Sequence, residues 1–243
     1  MRFVVIDFEA TCDEPYNPDP QEIIEFPAVI VSPGESDARE FHRYVRPVVH
    51  PRLTPFCAKL TGISQERVDG SPPFPEVLAR FNEWWHANAA DALVVTCGDW
   101  DLSSLLPRQC AQHRLAVPAW ADRWANLKRV YADSFPNASD RATLAEIAAS
   151  LSVQLVGRAH SGIDDSRNIA RVLRRMIEMG VSVLNTAIWP CAGCGAENLL
   201  RLRACADCGR SSVALKPGAW ACPRCGCGNF ARRDRCYKCD SER

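Results

Sequence analysis

Asp7 and Glu9 stand two residues apart at the end of the apolar run Phe3-Val-Val-Ile6. In an extended chain such residues share a face, with Cα atoms roughly 7 Å apart. The carboxyl ends of strands in α/β sheets are where ligand sites form, although an acidic pair can equally be solvated charge. Asp101 follows a second apolar run, Leu93 to Cys97, and the break at Gly98. An aspartate there can cap a helix beginning at Leu102 and still have an oxygen to spare for a ligand. The third group is His160-Ser-Gly-Ile-Asp164-Asp165. Gly162 puts His160 in a loop and Asp165 in the first turn of a helix, where negative charge is also favoured by the helix dipole.

Three separated segments thus supply carboxylates, and one adds a histidine. Four carboxylates brought together repel one another unless divalent cations sit between them. All-oxygen sites suit Mg²⁺ or Mn²⁺ rather than zinc. Two such ions ~3.5–4 Å apart clamp the attacking and leaving oxygens of a phosphoryl displacement. A histidine with an ordinary pKa near ~6.5 is suited to take the proton of the attacking water.

The cysteines speak of a different metal. Four of the thirteen, Cys12, Cys57, Cys97 and Cys110, are scattered, and the other nine follow position 190. Trp189, Cys191, Cys194, Asn198, Cys205 and Cys208 recur 31 residues later as Trp220, Cys222, Cys225, Asn229, Cys236 and Cys239. Two close pairs of thiolates make a closed tetrahedral zinc site. Modules this short fold on the free energy of ligation, ~10–16 kcal/mol per site. Two structural Zn²⁺ are therefore expected, one per repeat, with Cys227 left over. Gly209 to Ala219, containing Pro217-Gly218, is a linker. The divisions are 1–184 for the large domain, 187–210 for the first finger and 218–241 for the second.

Positioning the acids requires a sheet. Phe3 to Ile6, Glu22 to Val31, Glu40 to Val45 and Leu93 to Cys97 are predicted strands, with a turn at Ser32-Pro33-Gly34. Pro75 to His86 has helical apolar spacing, and Thr143-x-x-Glu146 is a capping box. A last helix from near Asp164 turns Ile169, Val172, Leu173, Met176 and Ile177 inward and ends at Gly180. Its arginines, Arg167, Arg171, Arg174 and Arg175, fall on the outer face and are expected to be solvated. Strands followed by strands alternating with helices predict a mixed α/β sheet flanked by helices.

Composition agrees with a globular protein, at 47% hydrophobic and 24% charged residues. No apolar run approaches the ~20 residues that span a bilayer. Met1-Arg2 leads straight into Phe3 with no secretory signal pattern, so an intracellular, cytoplasmic protein without membrane contact is expected. From Ala187 onward there are ten Lys/Arg and five Asp/Glu, against an overall net charge of zero. Each zinc bound by four thiolates carries about −2, so this basic excess nearly vanishes and lends little support to nucleic-acid binding.

Asp7-x-Glu9, Asp101 and His160-x4-Asp165 resemble the DEDDh exonucleases, and the likeness is closer to their Eri-type exoribonuclease branch. The supporting stretches are Asp7-Phe-Glu-Ala-Thr-Cys12, Glu22-Ile-Ile-Glu-Phe-Pro27, Leu60-Thr-Gly-Ile63, Gly98-Asp-Trp-Asp101 and His160 through Ala170. The resemblance implies a ribonuclease-H-like fold with a mixed five-stranded sheet. It implies 3′→5′ hydrolysis of RNA to nucleoside 5′-monophosphates, with Asp7, Glu9, Asp101 and Asp165 on two Mg²⁺ or Mn²⁺ and His160 as general base. It makes Asp164 a supporting or capping residue, and it makes Trp100 and Leu60, Thr61, Gly62 and Ile63 the grip on the terminal nucleotide. A proofreading-type DNA exonuclease, or a binding protein with a vestigial nuclease, are the alternatives.

The repeats resemble Ran-binding-protein-type zinc fingers, which bind single-stranded RNA in some proteins and other proteins elsewhere. The second finger continues Asn229-Phe-Ala-Arg-Arg233, similar to RNA-binding members in which the aromatic stacks on bases and the arginines read guanine. Phe230, Arg232 and Arg233 are its candidate RNA contacts. The first finger has Leu199-Leu200 instead and is expected to serve as a spacer or to contact a protein partner.

Overall fold

The computed structural model describes residues 1–32, 34 and 39–183. Beyond them it describes 188–190, 197–199, 205, 220–221, 228–229, 234–235 and 241–242. Residues 1–183 and 184–243 form two compact units.

Phe3–Ile6 (β1), wholly apolar, and Leu93–Thr96 (β5), apolar up to its closing threonine, lie parallel at the centre of the large unit. Strands buried on both faces read as unbroken apolar stretches. β5 pairs in parallel with Trp124–Asn126 (β6). On the other side of β1 runs the nine-residue Ile23–Val31 (β3), antiparallel, which then pairs antiparallel with Glu40–Tyr44 (β4). Glu9–Ala10 (β2) also pairs with β3, in register with β1: Ile6 faces Ala28 and Glu9 faces Glu25. β1 and β2 are therefore one strand line interrupted at Asp7-Phe8. Counted that way, the sheet has the five expected strands in mixed orientation.

Strand alternation divides the two faces. Val4, Ile6, Phe8 and Ala10 belong to the core cluster with Phe26, Phe41 and the helix Phe74–Asn88 (α3), which contributes Val77, Leu78, Phe81 and Trp85. Its centre is aromatic, with Phe26 4.6 Å from Phe8 and 4.5 Å from Phe81 between ring centroids. Asp7, Glu9, Glu25 and Pro27 consequently point to the opposite face, where Gly162–Glu178 (α7) packs on β1 and β3. The buried stripe of α7 includes Ile169, Val172, Leu173 and Met176, as expected, whereas Ile177 is only half-buried.

Two short helices at Pro55–Thr61 (α1) and Gln65–Asp69 (α2) have no apolar periodicity to announce them. Caps make α1: the Thr54 hydroxyl accepts from the Cys57 N–H at 3.0 Å and donates to the Cys12 carbonyl at 2.8 Å. That second bond ties the helix to the chain just beyond β2. Leu106–Gln112 (α4) and Leu127–Ser134 (α5) follow β5 and β6, and Leu144–Ser150 (α6) opens on the predicted capping box, with both of its bonds made. Among the described residues no helix is long and apolar enough to cross a membrane.

In the second unit, Ile188–Pro190 (β7) pairs with Glu197–Leu199 (β8), and Trp220–Ala221 (β9) with Gly228–Asn229 (β10). Trp189 faces Asn198 and Trp220 faces Asn229. The same pairing recurs at the 31-residue interval read in the sequence. Cys205 and Asn198 are buried. Cys191, Cys194, Cys208, Cys222, Cys225, Cys236, Cys239, Phe230, Arg232 and Arg233 lie outside the described residues.

Candidate active site

The ladder that holds β1 to β3 lapses opposite Pro27, which has no N–H to give, and Asp7 falls in that gap. On the other side, β5 ends at Thr96, level with Ile6. The Phe8 N–H therefore has no strand partner, and Asp101 Oδ1 accepts it at 2.9 Å. Of the two roles open to Asp101, capping its own helix is not the one its carboxylate takes: it serves the neighbouring strand, and the residue opens a π-helical turn, Asp101–Leu105, leading into α4. Sequence spacing could not anticipate a partner 93 residues away.

The Asp101 loop is fixed by its neighbours. Asp99 accepts from the Trp124 indole at 3.1 Å and from Arg129 at 2.7 Å. Trp100 is left 42% exposed beside the buried Asp101.

Asp165 reaches the sheet through the N-terminus of α7. Gly162 lies so close that a Cβ there would stand 2.7 Å from the Asp7 carbonyl oxygen and 3.1 Å from Pro27 Cγ. Glu25, 1% exposed, accepts the N–H groups of Gly162 at 3.0 Å and Ile163 at 3.2 Å, and bonds His42 Nε2 at 2.7 Å. Sequence reasoning passed over this residue. Its one local signal is a carboxylate inside a run that is otherwise apolar, because a buried charge needs partners.

The polar residues at the start of α7 then fold the preceding loop back on itself. Asp164 Oδ2 accepts the Arg158 N–H at 3.0 Å, Asp165 Oδ2 the His160 N–H at 2.7 Å, and Asn168 Oδ1 the Val156 N–H at 2.9 Å. His160 is exposed, with a left-handed backbone at φ 60°. Asp164 is thus a loop-fastening residue that also pairs with Arg167 at 3.4 Å. The outer arginines are not simply solvated. Arg167 is bonded to Glu40 at 2.6 and 2.9 Å, and Arg171 to Asn168 at 2.7 Å.

Oxygens of Asp7, Glu9 and Asp165 lie within 4.8 Å of one another. Burial pushes the Asp7 carboxyl well above its usual range, and the charges of Asp101, Glu9, Asp165 and Glu25 push further. Burial first, then Glu25 directly across the ladder, pushes Glu9 up to about 8. Asp101 is pushed up to about 6 by burial. Asp165 is raised by burial, partly offset by the His160 N–H. Partly buried acids this crowded fit a divalent cation as their missing counter-charge.

The nucleotide-gripping segment divides. Thr61 and Ile63 are buried, Thr61 donating to the Cys57 carbonyl at 2.9 Å and accepting from the Ile63 N–H at 3.2 Å. Leu60 is half-buried, and Gly62, the left-handed end of α1 at φ 73°, is exposed. The surface offered by this segment is therefore Leu60 and Gly62.

The pattern of the family described as Exonuclease matches residues 4–173. ERI1 exoribonuclease 3 of Homo sapiens is 44% identical over 184 residues, covering 73% of this chain and 54% of that protein. The 3′-5′ exoribonuclease 1 of Mus musculus is 39% identical over 183 residues, covering 72% and 53%. The chain spans about half the length of these curated relatives. Among solved structures, the nuclease domain of 3′hExo, a DEDDh family member bound to rAMP, is similar with a TM-score of 0.71 and 36% identity, covering 75% of this chain and 94% of that one. Cell-death related nuclease 4 follows with a TM-score of 0.69 and 27% identity, covering 79% and 69%.

The raised acids make the metal-free stability depend on pH. A carboxyl whose folded pKa exceeds its unfolded value keeps a proton that the unfolded chain has released, so stability falls as pH rises between the two values. For Glu9 that window runs from 4.5 to about 8. Without added divalent ions, the melting temperature should drop by on the order of 5 °C between about pH 6 and pH 8.5. Saturating Mn²⁺ should remove most of the drop. A metal-free melting temperature that is flat or rising across that range would contradict the crowding.

Proposed function

We propose that this chain, which belongs to the exonuclease family and is of its DEDDh type, is a metal-dependent 3′→5′ exoribonuclease releasing nucleoside 5′-monophosphates. The observation that carries the reading is the convergence of Asp7, Glu9 and Asp165 within 4.8 Å, beside an Asp101 anchored to the same strand line. RNA is favoured as substrate because the relatives similar over this region are named exoribonucleases.

Asp7, Glu9, Asp101 and Asp165 are the residues to hold two Mg²⁺ or Mn²⁺. Bound there, such ions supply charge stabilisation at the phosphoryl oxygens and acidify the attacking water. His160 is assigned the proton from that water. Its imidazole is exposed, and its backbone is tethered to Asp165, so base and metal ligand stay in register. Trp100 offers an exposed indole face on which the 3′-terminal base can stack, an interaction worth ~1–3 kcal/mol. Leu60 and Gly62 supply the facing edge.

Incubating 3′-end RNA and DNA oligonucleotides with and without Mg²⁺ tests the reading. Nucleoside 5′-monophosphates should accumulate from RNA with a free 3′-OH, and EDTA should stop the reaction. His160→Ala should lower kcat by ~10²–10⁴-fold with Mn²⁺ affinity largely kept, whereas Asp7→Ala should lose both. Products bearing 3′-phosphates, or faster attack on DNA than on RNA, would contradict it.

For the C-terminal repeats, Cys191, Cys194, Cys205 and Cys208 are assigned to one Zn²⁺, and Cys222, Cys225, Cys236 and Cys239 to a second. Thiolates kept reduced for metal fit a cytoplasmic protein. Phe230, Arg232 and Arg233 are assigned to single-stranded RNA and the first finger to a protein partner. Elemental analysis should give two zinc per chain, unchanged by Cys227→Ser. One zinc, or its loss on that substitution, would overturn the assignment.

A further inference from the structure

Arg158 sits two residues before His160, in the loop fastened by α7, and its own N–H is held by Asp164 at 3.0 Å. Its side chain leaves that loop and crosses to α1. There Nη2 donates to the carbonyl of Lys59, in the last turn of that helix. The guanidinium then passes over Gly62 with Nη1 nearest. A Cβ built on Gly62 would stand 2.2 Å from Nη1, 2.8 Å from Cζ and 3.4 Å from Nε. With the left-handed φ of 73° at this residue, glycine leaves the arginine room to take this position.

A guanidinium carries five N–H donors in a rigid plane. Among the described residues this one makes a single side-chain hydrogen bond and no ion pair. Arg167, by contrast, is bonded to Glu40 through two nitrogens. Arg158 is exposed, fixed at both its backbone and its tip, and flanked by the His160 loop and the Leu60-to-Ile63 segment. Among the described residues it is a positive charge without a counter-ion, two residues from His160, on a domain whose acid cluster would repel a polyanion.

From this arrangement we propose that Arg158 is an RNA phosphate-binding residue, which holds a backbone phosphate of the strand whose terminal nucleotide lies at Leu60 and Gly62. The planar fork suits two phosphate oxygens at once, and the Lys59 carbonyl orients it before the strand arrives. The assignment rests on the exoribonuclease reading and extends it by one contact.

The test is steady-state kinetics of the full-length chain on a short single-stranded RNA over a range of NaCl concentrations, comparing the parent with Arg158→Gln and Arg158→Lys. Gln keeps an amide donor but is shorter and lacks the charge. Its KM should rise about tenfold with kcat within about twofold. The slope of log(kcat/KM) against log[NaCl] should become shallower by about 0.7, the value of one phosphate contact on a single strand. Lys should keep the parental slope. On a p-nitrophenyl ester of a nucleoside 5′-phosphate, which has no upstream phosphate, Arg158→Gln should match the parent. An unchanged slope, or a fall in kcat at constant KM, would overturn the phosphate role. A parent protein that turns over neither substrate would overturn the nuclease reading itself, and the assignment with it.

Discussion

Glu25 receives the N-terminus of α7, and much of the site depends on that contact. Its carboxylate lies inside the sheet, on the face opposite the aromatic core, and accepts the two free amides of Gly162 and Ile163. The first N–H groups of a helix have no partner within it, so a buried carboxylate and a helix terminus satisfy each other. The bond forms because residue 162 has no side chain: the backbone of α7 comes down against the Asp7 carbonyl, where a Cβ would collide. Asp165, one turn along, is thereby brought from α7 to the acids of the first strand line.

The same contact sets the electrostatics. Glu25 and Glu9 face each other across the ladder, a like-charge pair that would be unfavourable in an ordinary sheet. Glu25 has two amides and His42 to compensate it; among the described residues Glu9 has no such partners, and its carboxyl is pushed up to about 8. The chain satisfies the acid that builds the site and leaves crowded the acids assigned to metal. Asp101 stands between these cases, buried and bonded to one amide of the strand it faces.

Much of this was legible in the sequence, for local reasons. Unbroken apolar runs marked β1 and β5 because strands buried on both faces have no polar side. The site residues could be picked out because chemistry-bearing side chains closed those runs or opened the last helix. Glu25 carried no comparable mark, since its partners lie 137 and 138 residues away. Asp101 was legible as an acid just after the second apolar run, but its bond to the Phe8 amide cannot be seen from spacing. The short α1 and α2 were missed because Thr54 and Ser64 caps and tertiary ties make them, not an amphipathic pattern. Thr61 and Ile63, grouped with their exposed neighbours by motif, belong to the interior.

The central claim is that close docking of α7 on β1, permitted by Gly162, brings Asp165 into the metal-binding set. Mn²⁺ titration calorimetry of Gly162→Ala tests it most directly, because this change adds one methyl group and alters no charge. The account predicts a folded protein, judged by its circular dichroism, whose Mn²⁺ affinity is weakened by about tenfold or more, in the range seen when a metal ligand's supporting structure is disturbed. Parental affinity and stoichiometry in a folded Gly162→Ala protein would contradict it.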